Sequence, residues 1–111
     1  MVAAANFNTI KEQVLGKRYE LSVAFLSAPQ MRKAMRYKKD PKVKTSNVLS
    51  FPLSPTSGEI LICKAAAKPY TVEYLFIHGL LHLKGLKHGV TMEREEGKLL
   101  KRFGFSRISN G

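Results

Sequence analysis

The sequence predicts a single domain of the α+β class, in which a small sheet packs with helices around one core. Three observations predict it. The 111 residues suffice for one core, with little room for a second. Short β-branched and aromatic segments bounded by Ser, Pro and Gly interleave with segments of helical period. The stretch from Val72 to Leu83 is apolar around nearly its whole circumference, as a central buried helix requires. The domain is expected to occupy residues 1–111.

Taken in order, Thr9 and Glu12 stand at capping-box spacing ahead of Ile10, Val14 and Leu15, so a short helix is expected from Thr9 to Gly16. Tyr19 to Leu26 (YELSVAFL) reads as the first strand, ended by Ser27-Ala28-Pro29. Gln30 to Tyr37 reads as a helix, with Met31 and Met35 on one face. Lys38 to Ser46 has no period and reads as a loop. Asn47 to Leu53 (NVLSFPL) forms a second strand stopped by Pro52, and SPTSG turns the chain into a third, Glu59 to Lys64, paired with the second as a hairpin. Thr71 caps the central helix, which runs to about Lys84 and ends at Gly85 in a left-handed cap. A last helix starts at Thr91. Its acids Glu93, Glu95 and Glu96 precede Lys98, Lys101 and Arg102, an order that the helix dipole alone explains.

Nineteen Lys and Arg against eight Asp and Glu give a formal net charge of +11, far above what solubility needs. A polyanionic partner follows, and nucleic acid is favoured over a membrane because no helix pairs a basic face with an exposed aromatic one. The densest positive segment runs from Arg32 to Lys44 and includes Lys33, Arg36, Lys38 and Lys39. The single Cys63 cannot close an internal disulfide and sits beside Ile60, Leu61 and Ile62, so it reads as a small buried hydrophobe in a reducing compartment. No stretch has the make-up of a secretion signal or the length of a membrane span. A cytoplasmic protein without a membrane partner is expected.

All three histidines fall within HGLLHLKGLKH, residues 78–88. His78 and His82 are four apart on a helix, so both rings project from one face, and Gly85 lets the chain turn so that His88 returns to the same point. Three nitrogen ligands around one divalent cation result. Tetrahedral Zn²⁺ would keep a fourth position open for chemistry, although Ni²⁺ or Cu²⁺ also suits three imidazoles. The same spacing occurs in metzincin proteases, but those carry a glutamate directly after the first histidine as general base. Here that position is Gly79, which leaves a metalloprotease as a minor alternative.

HGLLHLKGLKH, preceded by SNVLSFPL and GEILIC, resembles the YbeY family of bacterial endoribonucleases, metal-dependent factors of ribosomal RNA maturation. Met92 to Glu96 is similar to the start of that family's last helix, and the likeness runs from about Glu20 to Gly104. The resemblance implies a small mixed sheet, a three-histidine helix beside a positive cleft, and single-stranded or ribosomal RNA as substrate, with the small ribosomal subunit and assembly factors as partners. Where that family carries an aromatic or His and then Asp before the third histidine, this chain has Leu86 and Lys87, which removes an acceptor for a ligating ring. The family's arginine corresponds within MRKAMRYKKD to Arg36 or to Lys38. Arg36 is preferred, because only a planar guanidinium grips two phosphate oxygens at once.

The expected chemistry is cleavage of RNA at a Zn²⁺ held by His78, His82 and His88, with Arg36 and His78 as catalytic residues and Arg32, Lys33, Lys38, Lys39, Lys84 and Lys87 drawing in the backbone. Either metal hydroxide or the RNA 2′-hydroxyl can serve as nucleophile. The alternative is a non-catalytic RNA-binding assembly factor with a structural metal.

Overall fold

The structure is a computed structural model and describes residues 6–35 and 47–109. Helix α1 spans Asn6–Leu15, strand β1 Glu20–Phe25, helix α2 Ala28–Met35, strand β2 Val48–Ser54, strand β3 Ser57–Ile62, helix α3 Val72–Lys84 and helix α4 Val90–Phe103. A 3₁₀ turn at Lys64–Ala66 leads from the sheet to α3.

The sheet has the order β1-β3-β2. β3 pairs antiparallel with β2, Leu49 opposite Leu61, and parallel with β1, Val23 opposite Ile60, which makes the sheet mixed. As the central strand, β3 is apolar on both faces. Ile60 and Ile62 join the core formed with α3, whereas Leu61 and Cys63 pack with Leu49 and with Met31 of α2. Cys63 is 1% exposed, as its neighbours in the sequence suggest. β2 does not stop at Pro52 but continues to Ser54, with a register shift between those two residues. An edge strand tolerates a proline because one of its sides forms no ladder.

The starts of α1 and α2 differ from expectation, and α4 begins one residue early, at Val90. α1 is already helical at Asn6, so Thr9 and Glu12 lie inside it and their spacing marks no cap. α2 begins at Ala28 because Ser27 and Gln30 form the reciprocal cap instead. The Gln30 amide donates to Ser27 Oγ at 3.3 Å and the Ser27 amide donates to Gln30 Oε1 at 2.9 Å.

α3 is the element the others enclose. Leu75, Phe76, Ile77, Leu80 and Leu81 are each at most 2% exposed, and burial on this scale contributes on the order of 1.5–3 kcal/mol per side chain. Phe7 of α1 stacks on Phe76 at 4.1 Å. Met92, Glu96 and Leu100 of α4 are buried four residues apart, on the face that meets α3. α3 lies so near the sheet that a Cβ on Gly79 would stand 3.0 Å from Ser50 Oγ and 3.1 Å from Ile60. Ser50 Oγ donates to the Gly79 carbonyl at 3.1 Å, so Ser50 of LSFP meets Gly79 of HGLLH directly.

Candidate metal centre

The N-terminal end of α3 is set by Thr71, whose Oγ1 accepts from the Tyr74 amide at 3.1 Å. Its C-terminal end is a Schellman turn. Gly85 adopts φ 108° and donates its N–H to the His82 carbonyl, while the Leu86 amide donates to the Leu81 carbonyl at 3.0 Å. This turn brings the Leu86 carbonyl over His82 and redirects the chain so that His88 comes back to the helix.

The three imidazoles meet. One nitrogen from each of His78, His82 and His88 lies within 4.8 Å of the other two. Ring centroids are 4.6 Å apart for His78 and His82, 4.6 Å for His82 and His88, and 5.1 Å for His78 and His88. His78 and His82 are half-buried and His88 is exposed, so the centre opens to solvent on the His88 side.

Hydrogen-bond partners orient the first two rings. His82 Nδ1 lies 3.1 Å from the Leu86 carbonyl, which can only accept, so Nδ1 carries the hydrogen and Nε2 a lone pair. His78 Nδ1 lies 2.5 Å from Oε2 of Glu96 and likewise donates. The two Nε2 atoms then face each other at 3.1 Å. At that distance either a hydrogen shared by the two nitrogens or a cation drawn in beside both satisfies the contact. Two Zn–N bonds of about 2.0–2.1 Å at a tetrahedral angle span roughly 3.3–3.4 Å, so a small ring rotation accommodates the ion. The donor set fits one divalent cation of the kind that takes imidazole nitrogen.

Glu96 is the residue that sequence reasoning missed. The dipole argument treats it as one of several acids near a helix start, yet its side chain is only 3% exposed and turned toward α3. The discriminating signal was its place on the Met92–Leu100 stripe, at i+4 from one core residue and i−4 from another. Its other oxygen, Oε1, has the Tyr74 hydroxyl at 3.4 Å and Arg107 Nη2 at 3.8 Å. Burial, and next the Glu96 charge, push the Tyr74 phenol above its usual range. Glu96 and the Leu86 carbonyl therefore supply the ring acceptors that Lys87, standing where the resembled family has Asp, does not.

Lys84 ends α3 and Lys87 immediately precedes His88, both exposed next to the centre in the chain. Arg32 and Lys33 are exposed on α2, which packs through Met31 on the other face of the sheet, so they are not gathered with the histidines. Arg36, Lys38 and Lys39 lie outside the described residues. Gly79, at the position of a metzincin base, is buried against Ser50 and Ile60 and has no room for a carboxylate. No helix among the described residues is long and apolar enough to cross a membrane.

A family model described as Endoribonuclease YbeY matches residues 2–104. Among curated proteins named Endoribonuclease YbeY, that of Rubrobacter xylanophilus is 38% identical over 81 residues, covering 69% of this chain and 58% of that protein. That of Sulfurimonas denitrificans is 40% identical over 78 residues, 54% of this chain and 55% of the relative. That of Finegoldia magna is 33% identical over 108 residues, 78% of this chain and 70% of the relative. The chain thus spans a little over half the length of the first two relatives. No solved structure gives a significant match. With the family model covering nearly all of it, the chain belongs to the YbeY endoribonuclease family.

Proposed function

We propose that this protein is a metal-dependent endoribonuclease that cuts single-stranded RNA in ribosomal RNA maturation and ribosome assembly in the cytoplasm. The observation that carries this reading is the convergence of one nitrogen from each of His78, His82 and His88 within 4.8 Å, with the Nε2 atoms of His78 and His82 facing each other at 3.1 Å and His88 on the exposed side. His78, His82 and His88 would hold one ion, Zn²⁺ by availability and family membership. When bound, such an ion supplies Lewis-acid stabilisation to a phosphoryl oxygen and lowers the pKa of water to about 7. Glu96 and the Leu86 carbonyl keep the two half-buried rings in the ligating tautomer. Arg36 is assigned to the charge that develops on the phosphoryl group. Lys84 and Lys87 draw in the backbone close to the centre, Lys38 and Lys39 add their charge to the attraction, and Arg32 and Lys33 contribute from the far face of the sheet.

The test is metal analysis of protein purified without a tag or added metal, followed by RNA cleavage with wild type and His82→Ala. About one equivalent of metal and cleavage that disappears in the variant are expected. Lys87, standing where the resembled family has Asp, and the rearranged MRKAMRYKKD segment motivate a second reading, an RNA-binding assembly factor with a structural metal. That reading gains if wild type binds metal and ribosomal RNA yet cuts nothing with Zn²⁺ supplied.

A further inference from the structure

We propose that Arg107, braced by Tyr74, forms a subsite for a backbone phosphate neighbouring the one that is cut. The inference rests on the nuclease reading and extends it to a residue beyond the stretch that matches the family, which ends at residue 104.

Arg107 is held by backbone contacts. Its carbonyl accepts from the Thr71 amide at 3.0 Å, the Ser109 amide donates to the Pro69 carbonyl at 2.7 Å, and Tyr70 and Ile108 form an antiparallel bridge. Thr71 Oγ1 also donates to the Ser106 carbonyl at 2.6 Å. The segment after α4 is thereby tied to the start of α3, one turn before Tyr74. From there the guanidinium carbon lies 5.2 Å from the Tyr74 ring centroid, over its face.

The charges show what the guanidinium is free to do. The Glu96 carboxylate is committed through Oε2 to His78 at 2.5 Å. Arg107 Nη2 stands 3.8 Å from Oε1, longer than a hydrogen bond, and the Arg107 side chain is 42% exposed. An arginine serving only to neutralise a buried carboxylate would close on it in a short, two-pronged contact. This one is aligned by the ring and held near the carboxylate, with N–H donors left for another acceptor. A single carboxylate separates Arg107 from His78, so a strand with one phosphate at the histidines brings the next within reach of the guanidinium. A planar fork on an aromatic ring suits a phosphate with two free oxygens.

The test uses the zinc-loaded 111-residue chain and a single-stranded RNA oligonucleotide, with affinity measured across a salt series. Arg107→Gln and Arg107→Ala should each weaken RNA binding roughly five-fold and reduce the slope of log affinity against log salt by about one. Arg107→Lys should recover the slope. Zinc affinity by chelator competition and the thermal midpoint, followed in the same variants, should stay within about twofold and a few degrees of wild type. Unchanged RNA affinity and slope in Arg107→Gln, while wild type binds RNA, would overturn the subsite and leave the nuclease reading intact. A parallel loss of zinc affinity would also overturn it, by making Arg107 a support for Glu96. Inorganic phosphate competing as strongly as the oligonucleotide would reassign the site to free phosphate. Wild type that neither binds nor cuts RNA would remove the subsite together with the nuclease reading.

Discussion

Glu96 Oε2 lies 2.5 Å from Nδ1 of His78, joining α4 to α3 through a carboxylate that is 3% exposed. The bond orients the ring, assigns its proton to Nδ1 and directs Nε2 at His82. Partners of this type are commonly worth 10–100-fold in metal affinity. Glu96→Gln keeps the volume and loses the charge, so it should weaken zinc binding roughly tenfold, and Glu96→Ala by more. Competition against a chromophoric chelator measures both, and wild-type affinity in Glu96→Ala would show that the carboxylate is dispensable.

Metal binding and stability should be linked. An ion that binds the folded chain alone stabilises it by RT ln(1 + [L]/Kd), about 2.7 kcal/mol at a hundredfold excess over Kd. A chelator should lower the thermal midpoint of protein as isolated, and added Zn²⁺ should restore it. His82→Ala should lose the response, since a single imidazole then remains on α3. A response of equal size in that variant would place the ion elsewhere.

How much of this was legible depended on whether the code was local. The histidine helix could be read because Thr71, Gly85 and the i, i+4 pair each act within a few residues, and the observed cap at Gly85 with φ 108° is the expected one. The β2–β3 hairpin was readable for the same reason. The parallel pairing of β1 with β3 was not, because nothing in YELSVAFL specifies a neighbour that lies beyond an intervening helix and strand. Glu96 was missed because a dipole argument accounts for an acid near a helix start whichever way its side chain points. Thr9 and Glu12 misled because capping spacing also occurs inside helices, where Glu12 instead meets Asn8 one turn back.

Gly79 should not tolerate the residue that would complete a protease motif. A Cβ there meets Ser50 Oγ and Ile60 at 3.0–3.1 Å, and β3 behind them cannot yield without disturbing the sheet. Gly79→Ala should cost about 1–3 kcal/mol, read as a lower denaturant midpoint. Gly79→Glu should cost more and yield no peptidase activity. A Gly79→Glu protein as stable as wild type would mean that α3 stands off the sheet.

Arg36 should be separable from the metal ligands by what its loss leaves intact. A guanidinium that stabilises charge only in the transition state affects turnover and leaves the ion alone, so Arg36→Ala should lower the cleavage rate about 10²–10³-fold at unchanged zinc affinity. Arg36→Lys should recover little, because an ammonium cannot grip two phosphoryl oxygens in one plane. Lys38→Ala, which removes only a backbone attraction, should raise KM modestly and leave kcat near wild type. Single-turnover cleavage at saturating RNA distinguishes the two residues, and a larger loss in Lys38→Ala than in Arg36→Ala would transfer the catalytic assignment to Lys38.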